Sequence, residues 1–250
     1  MFAALCYHYK VKLKTLAITL AASVFFSCAA GISGPLRADG SAEIAVNASL
    51  EPHIVGLIRN LAILAGIPPD QALLDGAQIA QAMTEAPGVE SARLENLNPT
   101  TVQGQVRISQ VSGFLDGGGG LPGAARFAVF EQGAQGGQGG RLEININREN
   151  GQEILALLSP DVVSYLSVLM APLATGENLS RNEYLFLVGA VFSSAIANEI
   201  AGSRLRASIE FPAQVRGVRG GSFSGNRADF DIPLVDLLVL ESPLSFEVTW

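Results

Sequence analysis

The chain has no lysine after Lys14, no cysteine after Cys28, and a single histidine, His53, after residue 28. Each absence removes a class of chemistry. A phosphate loop ending in Gly-Lys-Ser/Thr cannot be built without lysine, and with no second cysteine past Cys28 neither an internal disulfide nor a thiol-ligated metal site can form. No His-Glu-x-x-His and no Gly-x-Ser-x-Gly elbow occurs, so a triad on His53 lacks its usual setting. The expectation is a protein that is not an enzyme, with no catalytic residue, no cofactor and no metal. Basic charge is scarce too. Past residue 28 there are 13 Arg against 23 Asp plus Glu, a formal charge near −10, where the whole chain carries −7. No basic run interrupts this acidity, which argues against nucleic acid and against electrostatic docking on anionic lipid.

Long hydrophobic runs are missing as well. Lys10, Lys12 and Lys14 precede a charge-free run over residues 15–27, the order of a secretory signal, and that run is shorter than the about 20 residues a membrane span needs. It ends in Ser27-Cys28-Ala29-Ala30-Gly31. This junction resembles the lipobox of bacterial lipoproteins, with Phe25 and Phe26 giving it the looser form found in spirochaetes. The resemblance implies that residues 1–27 are a signal peptide and that Cys28 carries the acyl chains. Residues 28–40 would then be a tether, holding an exported domain on the inner or outer membrane of the cell envelope, facing the periplasm or the exterior. The residues alone also accommodate an ordinary signal cut after Ala29 or Ala30, or an uncleaved anchor.

Residues 41–250 are long enough for a single domain with a real core. Ala42, Ile44, Val46, Ala48 and Leu50 alternate with polar residues, the period of a strand with one wet face. The same alternation recurs at Val102/Val106/Ile108, at Leu142/Ile144/Ile146, at Leu205/Ala207/Ile209/Phe211 and at Leu244/Phe246/Val248/Trp250. Half-polar strands of this kind belong to an antiparallel sheet with one face in water.

The other face needs a cover. Residues 52–66 open with Pro52 and close with Gly66, and Ile54, Leu57, Ile58, Leu61 and Leu64 form a helical stripe. Residues 71–85 read as a second helix after the Pro68-Pro69 break, a third begins at Ser159-Pro160-Asp161 and runs to about Met170, and a fourth begins at Ser180 with Glu183 at the capping-box position. The fourth helix is uncharged over residues 184–198, which predicts a buried helix packed on the sheet; a helix lining an apolar cavity or dipping into the bilayer is the alternative. The fold class expected is α+β: an antiparallel sheet with helices packed on one face.

Two glycine-rich segments, within residues 113–124 and 133–140, precede no helix that could hold an anion and read as hairpin tips around a short strand at residues 126–130. Near the end come Phe211-Pro212, then Gly220-Gly221, then Ser224-Gly225-Asn226 before Phe230-Asp231-Ile232. These are successive β connections, since Gly and Asn accept the positive φ of tight turns. Residues 205–250 resemble the C-terminal part of the LppM-type lipoproteins of actinobacteria, in which a Phe-Pro strand end, a Gly-containing return and a Gly-Asn turn precede a last strand. That resemblance implies an exported α+β lipoprotein domain with a lipid-like ligand, and brings no catalytic residue with it.

Arg227, Asp229 and Asp231 share one face of their strand, which reads as a solvated face with one ion pair rather than a calcium site. Two function classes follow: a structural or protein-interaction module of the envelope, and a lipid or apolar-ligand carrier, for which the mean hydropathy of +0.33 speaks. An enclosed apolar cavity between helices and sheet would mark the carrier, and a solid core the interaction module. Either way, elemental analysis of the purified protein is expected to find no stoichiometric metal; a bound transition metal at one per chain would overturn the composition argument.

Overall fold

The computed structural model describes residues 29–64, 73–115, 128–132, 139–151 and 166–250. Cys28 and the signal, the Pro68-Pro69 break, most of both glycine-rich segments and the start of the helix at Ser159 lie outside the described residues.

The largest departure from expectation is at the start. Residues 28–40, expected as a tether, supply strand β1 (Ala29–Pro35) and its turn into β2 (Ala42–Ser49). The turn is tied by Asp39, whose carboxylate accepts from the Ser41 backbone N–H at 2.9 Å and the Ser41 hydroxyl at 2.6 Å, and by Gly40 at φ 83°. β1 escapes sequence reading because Ala30, Gly31, Ser33 and Gly34 give its two faces almost no contrast in bulk. Small residues are what the position demands: a Cβ on Gly34 would lie 1.9 Å from the Glu43 carbonyl oxygen.

Around β1 stands a seven-stranded sheet in the order β3 (Val89–Asn98), β4 (Thr101–Ile108), β2, β1, β7 (Arg204–Glu210), β10 (Arg227–Pro233), β9 (Ser222–Ser224). Every neighbouring pair is antiparallel except β1 and β7, which run parallel with Ala29 beside Arg204. The expectation was one sheet; the described residues form two. β5 (Ala128–Gln132), β6 (Gly140–Ile146), β11 (Leu244–Thr249) and β8 (Gly217–Arg219) make an antiparallel second sheet. The class is α+β, with an antiparallel-dominated sheet and packed helices, as the periodicity implied.

The sheets meet over Leu36, Ala42, Ala228, Phe211, Val248 and Trp250, where the Phe211 and Trp250 rings lie 4.6 Å apart. Helices cover the rest of the apolar face. α1 (Pro52–Leu64) lays Ile54 and Ile58 on Ala48, Leu50 and Val102, and α2 (Gly76–Thr84) lays Ile79 and Met83 on Val46 and Val106. α2 starts later than the expected residue 71 because Asp75 caps it, its carboxylate accepting from Gln78 N–H at 3.0 Å. Short α3 (Val111–Leu115) and α4 (Pro172–Thr175) follow in chain order.

The fourth expected helix is two. α5 (Arg181–Val191) begins at the anticipated capping box, in which Ser180 N–H donates to Glu183 at 2.8 Å and Glu183 N–H to the Ser180 hydroxyl oxygen at 3.3 Å. Ser193 then leaves the helix and caps α6 (Ser194–Gly202) by accepting from Ile196 N–H at 3.3 Å, since a serine hydroxyl offers the backbone an alternative to helical continuation. Nor is α5 buried all round. Tyr184 and Val188, one turn apart, are fully buried, but Phe186 is 78% exposed and Val191 58%. A charge at Val191 therefore does not become a buried ion. α7 (Leu234–Val239), whose residues are apolar except Asp236, lies buried beyond Pro233, too short for a helical stripe to be read.

Two glycines test this packing in opposite directions. Gly104 on β4 has no room, since a Cβ there would lie 1.9 Å from the Arg93 carbonyl oxygen, and Gly104→Ala is expected to cost about 1–3 kcal/mol. Gly56 on α1 faces open space, and Gly56→Ala is expected to stabilise by about 0.5–1 kcal/mol. Urea denaturation of both variants checks the signs.

Candidate functional site

The polar face of the seven-stranded sheet carries an open groove of about 810 Å³. Register builds it. One row across the sheet reads Asn47, Gly31, Arg206, Asp231, and the next reads Ser33, Ser208, Asp229, Ser222. Gly31 and Ser33 on β1 are the low floor between the longer side chains of β2 and β7, so the strand read as a tether is the bottom of the groove. The Gly220-Gly221 return forms one rim. Bulk is excluded there: a Cβ on Gly221 would lie 2.5 Å from the Asp229 carbonyl oxygen, and one on Gly220 would meet the Ser245 carbonyl oxygen at 2.5 Å.

Two Arg–Asp ion pairs stand on this face, and Arg204 lines the groove beside them. Arg227 donates from Nε to Asp229 Oδ1 at 2.8 Å and approaches the same oxygen with Nη2 at 2.7 Å. Asp231, expected to share a face with Arg227, is there but stands 3.7 Å from Arg206 Nε across the strand pair. The Arg227 hydrogen bond, helped by Ser208 and opposed by partial burial, holds the Asp229 carboxyl below its ordinary range. These pairs are solvent-exposed and contribute little to stability. The groove presents alternating charge and hydrogen-bonding groups. Among the described residues no cluster of three His, Cys, Asp or Glu side chains is arranged to hold a metal ion.

His53, the one histidine open to a catalytic reading, serves a helix end. Glu199 on α6 reaches the N-terminus of α1, where its Oε1 accepts from His53 N–H at 3.0 Å and lies 2.6 Å from His53 Nδ1, while its Oε2 accepts from Ile54 N–H at 2.9 Å. The first amides of a helix lack internal partners and carry the positive end of its dipole, so a carboxylate satisfies both. Burial by itself pushes the Glu199 carboxyl up; the hydrogen bonds from His53 and Ile54 outweigh that and hold it below the ordinary range. Sequence reading missed this partnership because 145 residues separate Glu199 from Ile54.

The chain is thus an α+β protein with an open groove that carries two Arg–Asp ion pairs on a mixed sheet, and no described helix is long and apolar enough to cross a membrane. No protein-family model matches it, and no curated protein matches it either. A solved structure that it resembles is the folded domain of the LppM protein of Mycobacterium tuberculosis, at 10% identity and a TM-score of 0.39, over 88% of this chain and 87% of that one.

A carboxylate whose value is lowered by folding contributes stability above its unfolded range, and that contribution is lost as pH falls through the folded value. Glu199→Gln is therefore expected to lower stability by about 1–2 kcal/mol near neutral pH. The gap from the parent protein should narrow as the pH drops into the carboxylate range. Urea titrations at a series of pH values measure it; a gap that stays constant into acid would mean the charge is not what caps α1.

Proposed function

We propose that the chain is an exported lipoprotein held in the cell envelope by acyl chains on Cys28, and that its folded part is a non-enzymatic structural or protein-interaction module. The observation that carries this reading is the groove. It is open, floored by small residues and walled by ion-paired Arg and Asp side chains. Such a surface suits an extended polar segment of another envelope protein. A small apolar ligand wants an enclosed and mostly apolar site. Between helices and sheet, the described residues are packed instead: Tyr184, Val188, Ile200 and Val235 are each at most 1% exposed. The acidic balance and lack of basic runs speak against nucleic acid as the partner.

One observation favours the second reading, a carrier of a lipid or apolar ligand. The Tyr184 hydroxyl is buried in the helical core with no hydrogen-bond partner among the described residues, a state that costs about 1–3 kcal/mol. Burial also pushes its phenol well above the ordinary range, so it stays a neutral donor that the polar head of an apolar guest could satisfy.

Two measurements test these readings. Cys28→Ala is expected to abolish acyl labelling and to move the protein from the detergent to the aqueous phase; unchanged partitioning would place the anchor in the preceding segment. Native mass spectrometry of the unlipidated protein, followed by solvent extraction, is expected to find the bare polypeptide mass. Extractable lipid in stoichiometric amount would replace the interaction module with the carrier.

A further inference from the structure

We propose that the helical end of the protein docks on the bilayer that carries its own lipid anchor, with the exposed apolar side chains of α5 and their neighbours entering the interface. The proposal rests on acylation of Cys28 and adds to it an orientation and a contact surface.

Position is the first argument. Cys28 is followed directly by Ala29, the first residue of β1, so no spacer separates an acylated residue 28 from the middle of the seven-stranded sheet. Consecutive Cα atoms lie about 3.8 Å apart, and this end of the sheet is accordingly held at the membrane surface. Register identifies what else lies there. Ala29 stands beside Ser49 and Arg204, Ser49 beside Thr101, and Arg204 beside Pro233. From these strand ends α1 begins at Pro52, α6 finishes at Gly202 and α7 begins at Leu234, and α5 packs on α6 and α7. The opposite end of the sheet, at Leu36, Ala42 and Ala228, packs on the second sheet instead.

The second argument is where apolar side chains remain in solvent. Of the seven large hydrophobic residues exposed among the described ones, five lie on the elements that build the helical core over Ala48, Leu50 and Val102, or beside it: Ile63 on α1, Val168 in the helical residues 166–168, Phe186 and Val191 on α5, and Leu97 at the end of β3 next to Thr101. Val129 and Phe223 are the exceptions. A soluble surface shows single exposed hydrophobics without consequence, but their gathering on the helical layer that covers the Ala29 end of the sheet points to the bilayer as their cover. Charge agrees with an apolar mode of contact, because past residue 28 arginine is outnumbered by acid and the sequence holds no basic run.

The test uses the full-length lipidated chain reconstituted on phosphatidylcholine vesicles with brominated acyl chains, whose bromine atoms quench tryptophan at short range. Phe186→Trp places a reporter on α5, and Phe223→Trp places one on β9 at the far end; Trp250, buried in both, is a constant background. Interfacial helices sit about 5–10 Å deep, so the residue 186 reporter is expected to lose about half its emission while the residue 223 reporter is unchanged. Cosedimentation with the vesicles is read in the same samples. A chain that does not cosediment sinks the anchor and the docking together. Cosedimentation with the residue 186 reporter unquenched, or with both reporters quenched alike, overturns the docking and leaves the anchor standing.

Discussion

The close approach of β1 to its two neighbours is the contact on which the rest of the architecture depends. Remove β1 from the strand order and the large sheet separates into β3-β4-β2 on one side and β7-β10-β9 on the other, each antiparallel within itself. The parallel pairing of β1 with β7 is what joins them, across residues 175 positions apart at Ala29 and Arg204. The seat of β1 beside β2 has strict steric terms. Gly34 passes so near the Glu43 carbonyl that any larger residue must move a neighbouring strand, and a Cβ on Gly31 would push the Asn47 side chain aside. A parallel strand contributed from far away along the chain forms slowly, because loop closure precedes any reward from contact. The central strand is thus the last that local sequence can specify and the one that fuses both halves of the core.

This also explains what could and could not be read in advance. Strands whose inward positions are β-branched or large announced themselves: Ile44 and Val46 on β2, Val102 and Val106 on β4, Ile144 and Ile146 on β6. β1 carries the same alternation in Ala, Gly and Ser, where periodicity has no amplitude. β3 is hidden for another reason. Its register slips between Val89 and Ser91 and again between Asn96 and Asn98, so its inward residues Val89, Ala92 and Leu94 do not keep a period of two. The groove escapes sequence reading with β1, because its low floor of Gly31 and Ser33 lies on that strand, although the ion-paired face of β10 is legible from Arg227, Asp229 and Asp231. Composition told that α5 is apolar but could not tell which sides meet protein, since burial belongs to the neighbours and not to the helix.

The helix caps show the same division between local and distant signals. Ser180 with Glu183 is a three-residue code, readable directly. Asp75 before α2 and Ser193 before α6 are equally local, and both sit inside segments whose apolar periodicity suggested longer helices; the cap decided the boundary. α1 has no such residue at its start and borrows Glu199 from α6, which couples the two helices through a carboxylate rather than through packing alone. The one conspicuous titratable residue of the sequence, His53, thereby acquires a structural partner.

An acidic protein resting on a membrane by apolar side chains poses an electrostatic question, and magnitudes answer it. Exposed charges more than about 8–10 Å from an anionic headgroup are screened at physiological salt, so acidity spread over the whole surface repels weakly. Burying one Phe side chain contributes about 1.5–3 kcal/mol. In free solution that is far too little to hold a protein on a bilayer, but an acylated neighbour turns docking into an intramolecular event, with no translational freedom left to lose and a high effective concentration of the contact. A few exposed apolar groups then suffice to choose an orientation. With the helices turned toward the lipid, Phe223 on β9 lies at the far end of the sheet, and the groove crosses the strands from Thr101 on β4 to Ser222 on β9.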